Sequence, residues 1–229
     1  MRFGLQKLTL LDYPGNVACT IFCSGCNFCC PYCHNPELAL GKEISNGYNV
    51  SELLSFLESR VNKLDGICIT GGEPLLFSES IELAQKAKSM GYKVKIDTNG
   101  SDPVRLAEVV RNGYADYIAM DIKNSPEKYE MTAGRNFLEK VKESIAFLMG
   151  SEIDYEFRTT VTGNLHTASD FEKIGQWLSG AKRYFLQKFV DSGSILNGNG
   201  ASFEVCCDNM YEYQQIVARF VPTVQLRGI

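Results

Sequence analysis

The chain has 229 residues and a formal net charge of −4, with 45% hydrophobic and 22% charged residues. That balance is ordinary for a globular protein and lacks the basic excess that displaces counterions from nucleic acid. The length suits one sizeable core better than two small ones, so residues 1–229 read as a single domain. The opening MRFGLQKLTLLDYPG is soon broken by Asp12, Pro14 and Gly15, unlike a secretory leader. No apolar run approaches the roughly 18–20 residues of a membrane span, and a cytoplasmic location is expected. Nine cysteines in a reducing compartment then read as metal or redox chemistry rather than a disulfide framework.

In chain order, Val17–Phe22 is the first strand candidate, β-branched and aromatic. Val50, Leu53, Leu54, Leu57 and Val61 then form one helical stripe, for which Asn49 with Glu52 three residues on is an N-cap. Strand Gly66–Thr70 precedes helix Glu79–Met90, strand Lys93–Asp97 precedes helix Pro103–Asn112, and strand Tyr117–Asp121 precedes helix Asn136–Met149. Strand Tyr155–Val161, helix Ala168–Leu178 and strand Tyr184–Phe189 follow. A loop is expected over Asp191–Asp208, with NGNG and Cys206-Cys207, before a last helix at Asn209–Phe220. Gly91, Gly113 and Gly150 each follow a helix, where a left-handed residue is wanted. This alternation predicts an α/β protein with a parallel sheet, helices outside, and ligands at the C-terminal strand ends.

Five cysteines crowd into residues 19–30, and Cys33 follows. Three registers compete: C-x3-C-x2-C at Cys26, Cys30 and Cys33; the same spacing at Cys19, Cys23 and Cys26; and the bacterial ferredoxin run at Cys23, Cys26, Cys29 and Cys33. Cys19 belongs to a strand-like run and reads as core. The ferredoxin run calls for a second cysteine run, and only the adjacent pair Cys206-Cys207 lies far along the chain. A zinc knuckle from Cys26, Cys29, Cys30 and Cys33 leaves no residue between its two pairs. The first register accounts for more, because three cysteines leave one iron open to a ligand, as in catalytic metal centres. Pro31 and Tyr32 keep that loop tight and set an aromatic beside the open iron.

The strand ends carry further candidates. Thr70-Gly71-Gly72-Glu73-Pro74 is a tight turn by composition, and its glycines let backbone carbonyls approach an ammonium group. Asp97-Thr98-Asn99-Gly100 reads as an Asx-type turn. Asp121 and Lys123 share a side of their strand, as a surface ion pair or a site pair. Arg158 faces water unless a barrel mouth offers it an anion, and Gln187 is a weaker case of the same kind. His34 adjoins the cysteines, His166 reads as solvated in a polar loop, and Cys68 reads as core.

GCNFCCPYCHNPEL resembles the cluster loop of radical S-adenosylmethionine (SAM) enzymes, most of all the glycyl radical enzyme activases. Within these it is most similar to the activating protein of anaerobic ribonucleoside-triphosphate reductase. The resemblance extends from GLQKLTLLDYPG to the closing VQLRG, with Cys29 standing where the family has a long polar residue. It implies an incomplete (β/α)6 TIM-like barrel and a [4Fe–4S] cluster on Cys26, Cys30 and Cys33. It further implies an oxidoreductase activity in which SAM is cleaved reductively to methionine and a 5′-deoxyadenosyl radical.

For the site residues the resemblance implies that Gly71, Gly72 and Glu73 bind the methionine amino group. Asp97 and Thr98 belong to a monovalent-cation site beside the SAM carboxylate, with Tyr32, Asp121, Lys123, Arg158 and Gln187 as further SAM or substrate contacts. The implied partners are a glycyl radical enzyme as protein substrate and, as no second cysteine-rich insert separates Cys33 from Gly71, an external flavodoxin or ferredoxin as reductant. Two other readings stay open at this level. One is radical chemistry on a pyruvate formate-lyase type partner, a small molecule or a peptide; the other is a non-catalytic iron–sulfur electron carrier.

Overall fold

The computed structural model describes residues 2–191, 193–196 and 199–229. One eight-stranded sheet follows chain order: β1 (Gly4–Thr9), β2 (Ala18–Cys23), β3 (Gly66–Gly71), β4 (Lys93–Thr98), β5 (Tyr117–Asp121), β6 (Asp154–Val161), β7 (Tyr184–Lys188) and β8 (Gln225–Arg227). Strands β2 to β8 are parallel and β1 is antiparallel to β2. The sheet ends at β1 and β8 without closing among the described residues. The helices are α1 (Pro36–Ala39), α2 (Val50–Glu58), α3 (Ser78–Ser89), α4 (Pro103–Arg111), α5 (Tyr129–Ala133), α6 (Leu138–Met149), α7 (Ala168–Trp177) and α8 (Cys207–Ala218). None is long and apolar enough to cross a membrane.

The six expected strands are β2 to β7, so the incomplete (β/α)6 barrel is present, with an extra strand on each flank. Side-chain alternation gives the barrel two faces. Ile67, Ile69, Val94, Ile96, Ile118, Met120, Tyr155 and Phe157 pack outward in the hydrophobic core, with Leu53, Leu83, Leu106, Val141 and Phe171 from the helices. The inward face carries charged side chains of the sheet. Tyr117 Oη donates to Glu156 Oε2 at 2.8 Å and Arg227 clasps both oxygens of Glu156, each at 2.8 Å, toward the N-terminal end. Above them, Lys95 pairs with Asp97.

Several expectations need correction. The flanking strands escape the pattern because β1 is an edge strand with half its residues in water, while β8 has only three residues. The cap at Asn49 is a full capping box with Glu52, but α2 stops at Glu58 and Val61 is 40% exposed. Gly91 (φ 90°) and Gly113 (φ 66°) take the left-handed conformation, whereas Gly150 keeps a right-handed φ of −87°. The loop expected over Asp191–Asp208 holds a 3-10 turn at Gly200–Phe203, and α8 begins at Cys207. Within it, Ser192, Asn197 and Gly198 lie outside the described residues. Cys68 is fully buried as expected, but among charges rather than hydrocarbon: its sulfur is 3.7 Å from Lys95 Nζ and 3.8 Å from Asp97 Oδ1.

Candidate active site

The C-terminal ends of β2 to β6 converge on one cavity. Cys26, Cys30, Tyr32, Cys33 and His34 line it from the loop after β2, and Gly71 and Gly72 from the end of β3. Asp97 and Thr98 come from β4, Asp121 and Lys123 from β5 and its extension, and Arg158 from β6. Of the residues singled out in the sequence, Glu73 and Gln187 are not in this wall. Asn35, Thr70, Asn99 and Thr160 are in the wall without having been singled out.

The cysteine loop is held by backbone bonds to three elements. Gly25 N and Cys26 N donate to Leu38 O and Ala39 O of α1, at 2.6 and 3.1 Å. Cys29 N donates to Ala133 O of α5 at 2.8 Å. Gly72 N and Glu73 N donate to Cys23 O and Gly25 O, both at 2.8 Å, which carries the β2–β3 pairing into the loop. This close approach demands glycine at position 72, where a Cβ would lie 2.0 Å from Gly25 O. Gly72→Ala is expected to lower stability by about 1–3 kcal/mol and to reduce iron uptake, measured by the denaturant midpoint and by iron content. A parent-like result in both would refute this account of the turn.

Glu73 differs from expectation. Its side chain is 1% exposed and turns away from the cavity. It accepts from Leu75 N (3.1 Å), Thr98 Oγ1 (2.7 Å) and Asn99 N (2.6 Å), tying the end of β3 to that of β4. Burial pushes its carboxyl up to about 7 even against those three donors. His166 is also corrected. It is 2% exposed, not solvated: Nδ1 accepts from Thr162 N at 3.1 Å, and Nε2 donates to the carbonyl of Lys123 at 3.0 Å. It thereby props the backbone beneath a cavity residue, and burial lowers its pKa.

A chain of charges crosses the cavity floor. Arg158 reaches Asp97 through Nη1 (3.1 Å) and Asp121 through Nε (3.0 Å), and Lys123 Nζ is 3.0 Å from the other Asp121 oxygen. With Lys95 on Asp97, three cations face two carboxylates, leaving a surplus of one positive charge for an anionic ligand. Burial alone would raise Asp121, but Arg158 and then Lys123 override it and bring the carboxyl down to about 2. Arg158 therefore faces the barrel mouth, 13% exposed.

The thiols fit an iron–sulfur cluster better than a single ion. Burial pushes Cys26 up to about 11 and Cys30 up to about 12, with Lys123 opposing the rise in both, so metal binding would release protons. Among the described residues no three His, Cys, Asp or Glu side chains gather closely enough for one metal ion. Zinc would bring four donors to about 2.0–2.3 Å from one point, whereas Cys26, Cys30 and Cys33 stand around a space. The buried Tyr32 hydroxyl, on the same wall, has no hydrogen-bond partner among the described residues and is free for a ligand. Cys19 and Cys23 lie elsewhere: both are fully buried in β2, and Cys23 Sγ is 3.2 Å from Ser80 Oγ of α3.

The model of the radical SAM superfamily matches residues 20–178. The chain belongs to the radical SAM superfamily. Membership implies a [4Fe–4S] cluster and SAM as the bound groups, and three cysteines around a cavity are the donor set for such a cluster. A Methanocaldococcus jannaschii protein provisionally named a glycyl-radical enzyme activating enzyme is 35% identical over 192 residues, covering 81% of this chain and 78% of that one. The pyruvate formate-lyase-activating enzyme of Clostridium pasteurianum is 30% identical, with 58% of this chain and 56% of that one covered. Among solved structures, a domain of pyruvate-formate lyase-activating enzyme from Bacteroides vulgatus superposes with a TM-score of 0.59 at 16% identity, covering 71% of this chain and 99% of that one. Streptococcus suis SuiB bound to its precursor peptide SuiA gives 0.70 at 11% identity, covering 90% of this chain and 48% of that one. Those two likenesses speak for the radical SAM fold alone.

Proposed function

We propose that this chain, acting as one domain, is a radical SAM activase that generates a glycyl radical on a partner enzyme, anaerobic ribonucleoside-triphosphate reductase. The observation that carries the chemistry is the set of three thiols facing a cationic floor at the barrel mouth. When bound, the cluster and SAM supply a one-electron cleavage of the sulfonium that yields a hydrogen-abstracting radical. Cys26, Cys30 and Cys33, which line one cavity, would hold the cluster. Carbonyls of the Gly71-Gly72 turn would accept from the ammonium of SAM, Lys123 and Arg158 would face its carboxylate, and Tyr32 would close one side against water. Glu73 acts from behind, by fixing Thr98 and Asn99. Gln187, one strand farther on, belongs to the substrate side. A monovalent cation beside Asp97 and Thr98 remains part of the reading, next to Lys95 and Arg158, which already face that carboxylate. Flavodoxin or ferredoxin supplies the electron.

A protein substrate is favoured by the rim. Leu40, Met131 and Val190 are 62%, 59% and 61% exposed. Each is tied to the cysteine loop: Leu40 follows α1, Met131 lies on α5, and Val190 O accepts from His34 Nε2 at 2.8 Å. Scattered exposed apolar residues are ordinary, and the docking surface is assigned to these three because each sits on a segment joined to the cysteine loop. The test is anaerobic: reconstitute iron, reduce with dithionite, add SAM and the reductase, then measure 5′-deoxyadenosine and the glycyl doublet by electron paramagnetic resonance (EPR). Deoxyadenosine without a doublet on the reductase would move the activity to another substrate. The triple variant Leu40→Asp, Met131→Asp, Val190→Asp is expected to cut doublet formation at least tenfold and leave partner-free SAM cleavage unchanged. Equal loss of both would place the rim in folding rather than docking.

A further inference from the structure

Just past the end of β4 stands Asn99, to which the proposed reading gives no contact with the cluster. Asn99 is 5% exposed, and its amide orientation is fixed from several sides. Oδ1 accepts from Ser101 N at 2.9 Å; that partner can only donate, so the oxygen cannot exchange places with the nitrogen. The NH2 group therefore points at the cysteine loop. It donates to Asn27 Oδ1 at 2.9 Å and reaches the sulfur of Cys26 at 3.7 Å. Asn27 Nδ2 in turn donates to Ser101 Oγ at 2.8 Å, closing a small ring of Asn99, Asn27 and Ser101 beside that sulfur. Behind it, the buried Glu73 carboxylate holds Asn99 by its backbone N–H at 2.6 Å. The Cys26 sulfur also receives Phe28 N at 3.4 Å.

We infer that Asn99 is a tuning residue for the iron–sulfur cluster, donating an N–H···S bond to the Cys26 thiolate and raising the cluster's reduction potential. An N–H pointed at a ligand sulfur favours the reduced, more negative cluster, because the added electron density is shared with the sulfurs. A hydrogen bond to a ligand also fixes its direction, as outer partners of metal ligands commonly do. The chain Glu73–Asn99–Cys26 gives the glutamate of the GGE turn a role without ligand contact: it sets the end of β4 so that the amide meets the sulfur. The couple concerned is the one-electron step between oxidised and reduced cluster, with dithionite as donor in the test.

The inference rests on Cys26 being a cluster ligand, and one experiment separates the two. The parent chain, Asn99→Ala and Asn99→Asp are reconstituted anaerobically, their iron and sulfide counted, and each is titrated with dithionite under EPR. Both variants lack the N–H, and Asn99→Asp keeps an oxygen for Ser101 N. The expected result is parent-like iron content with a lower midpoint potential. At a fixed solution potential, the reduced-to-oxidised ratio should fall about tenfold, which is 59 mV for a one-electron couple. An unchanged potential in a loaded variant overturns the inference and spares the site assignment. Loss of the cluster from both variants also overturns it, marking Asn99 as structural. A parent chain that binds no four-iron cluster overturns the site reading itself.

Discussion

Cys26→Ala, Cys30→Ala and Cys33→Ala are each expected to abolish the four-iron cluster and reduce SAM cleavage to background, while Cys29→Ala and Cys19→Ala retain both. The contrast follows from where the sulfurs lie. Cys26, Cys30 and Cys33 share one cavity wall. Cys29 is exposed and packs beside Gly134, where an added Cβ would come within 3.0 Å of its own Cβ. Cys19 is fully buried in the hydrophobic core. On the proposed set of three ligands, removal of one leaves two anchors for four irons, so loss should be near complete. Iron and sulfide content, EPR of the reduced protein and chromatography of 5′-deoxyadenosine provide the check. If Cys29→Ala lost the cluster as Cys30→Ala does, the ferredoxin register would be the better reading and the open iron would disappear with it.

The second large effect is expected at Arg158. Arg158→Met removes both of its ion pairs, leaving Asp97 and Asp121 to face each other at the cavity floor. Breaking a buried pair by deleting one partner costs about 3–5 kcal/mol. The lower end applies, because Lys95 still holds Asp97 and Lys123 still holds Asp121. The pH dependence supplies a sign check. The Asp121 carboxyl, at about 2 in the fold, lies below its ordinary value of 3.8. Its contribution is therefore present above about pH 4 and lost as the pH falls toward 2. The stability gap between parent and variant, from urea melts of the iron-free proteins, should shrink across that window. A gap that stayed constant from pH 6 to pH 2 would mean that Arg158 acts through packing. In the loaded protein the same substitution should weaken SAM binding, since the floor loses its surplus cation.

Local signals made most of the site readable in the sequence. The spacing of Cys26, Cys30 and Cys33, the Gly71-Gly72 turn and the inward phase of Asp97, Asp121, Lys123 and Arg158 all depend on residues near in sequence, and all reach the cavity. What stayed hidden depends on distant partners. His166 looks solvated in NLHT until Lys123 O and the ring of Phe171, 5.5 Å away, bury it. Glu73 reads as a ligand because a motif lists residues without saying which way a side chain turns. Asn99 sat unremarked inside a quoted motif, since an Asx turn explains its type and only the fold brings it to Cys26. The edge strand β1 carries no alternating pattern, and the three residues of β8 are too few to show one.

The cysteine loop is bonded through its main chain to α1, α5 and the end of β3. Small zinc domains, by contrast, draw their folding energy from the ion and collapse without it. Here none of those main-chain bonds uses a cysteine sulfur, so loss of a cluster to oxygen would not by itself remove them. Rebuilding the cluster would call for iron, sulfide and a reductant that returns oxidised cysteines to thiols.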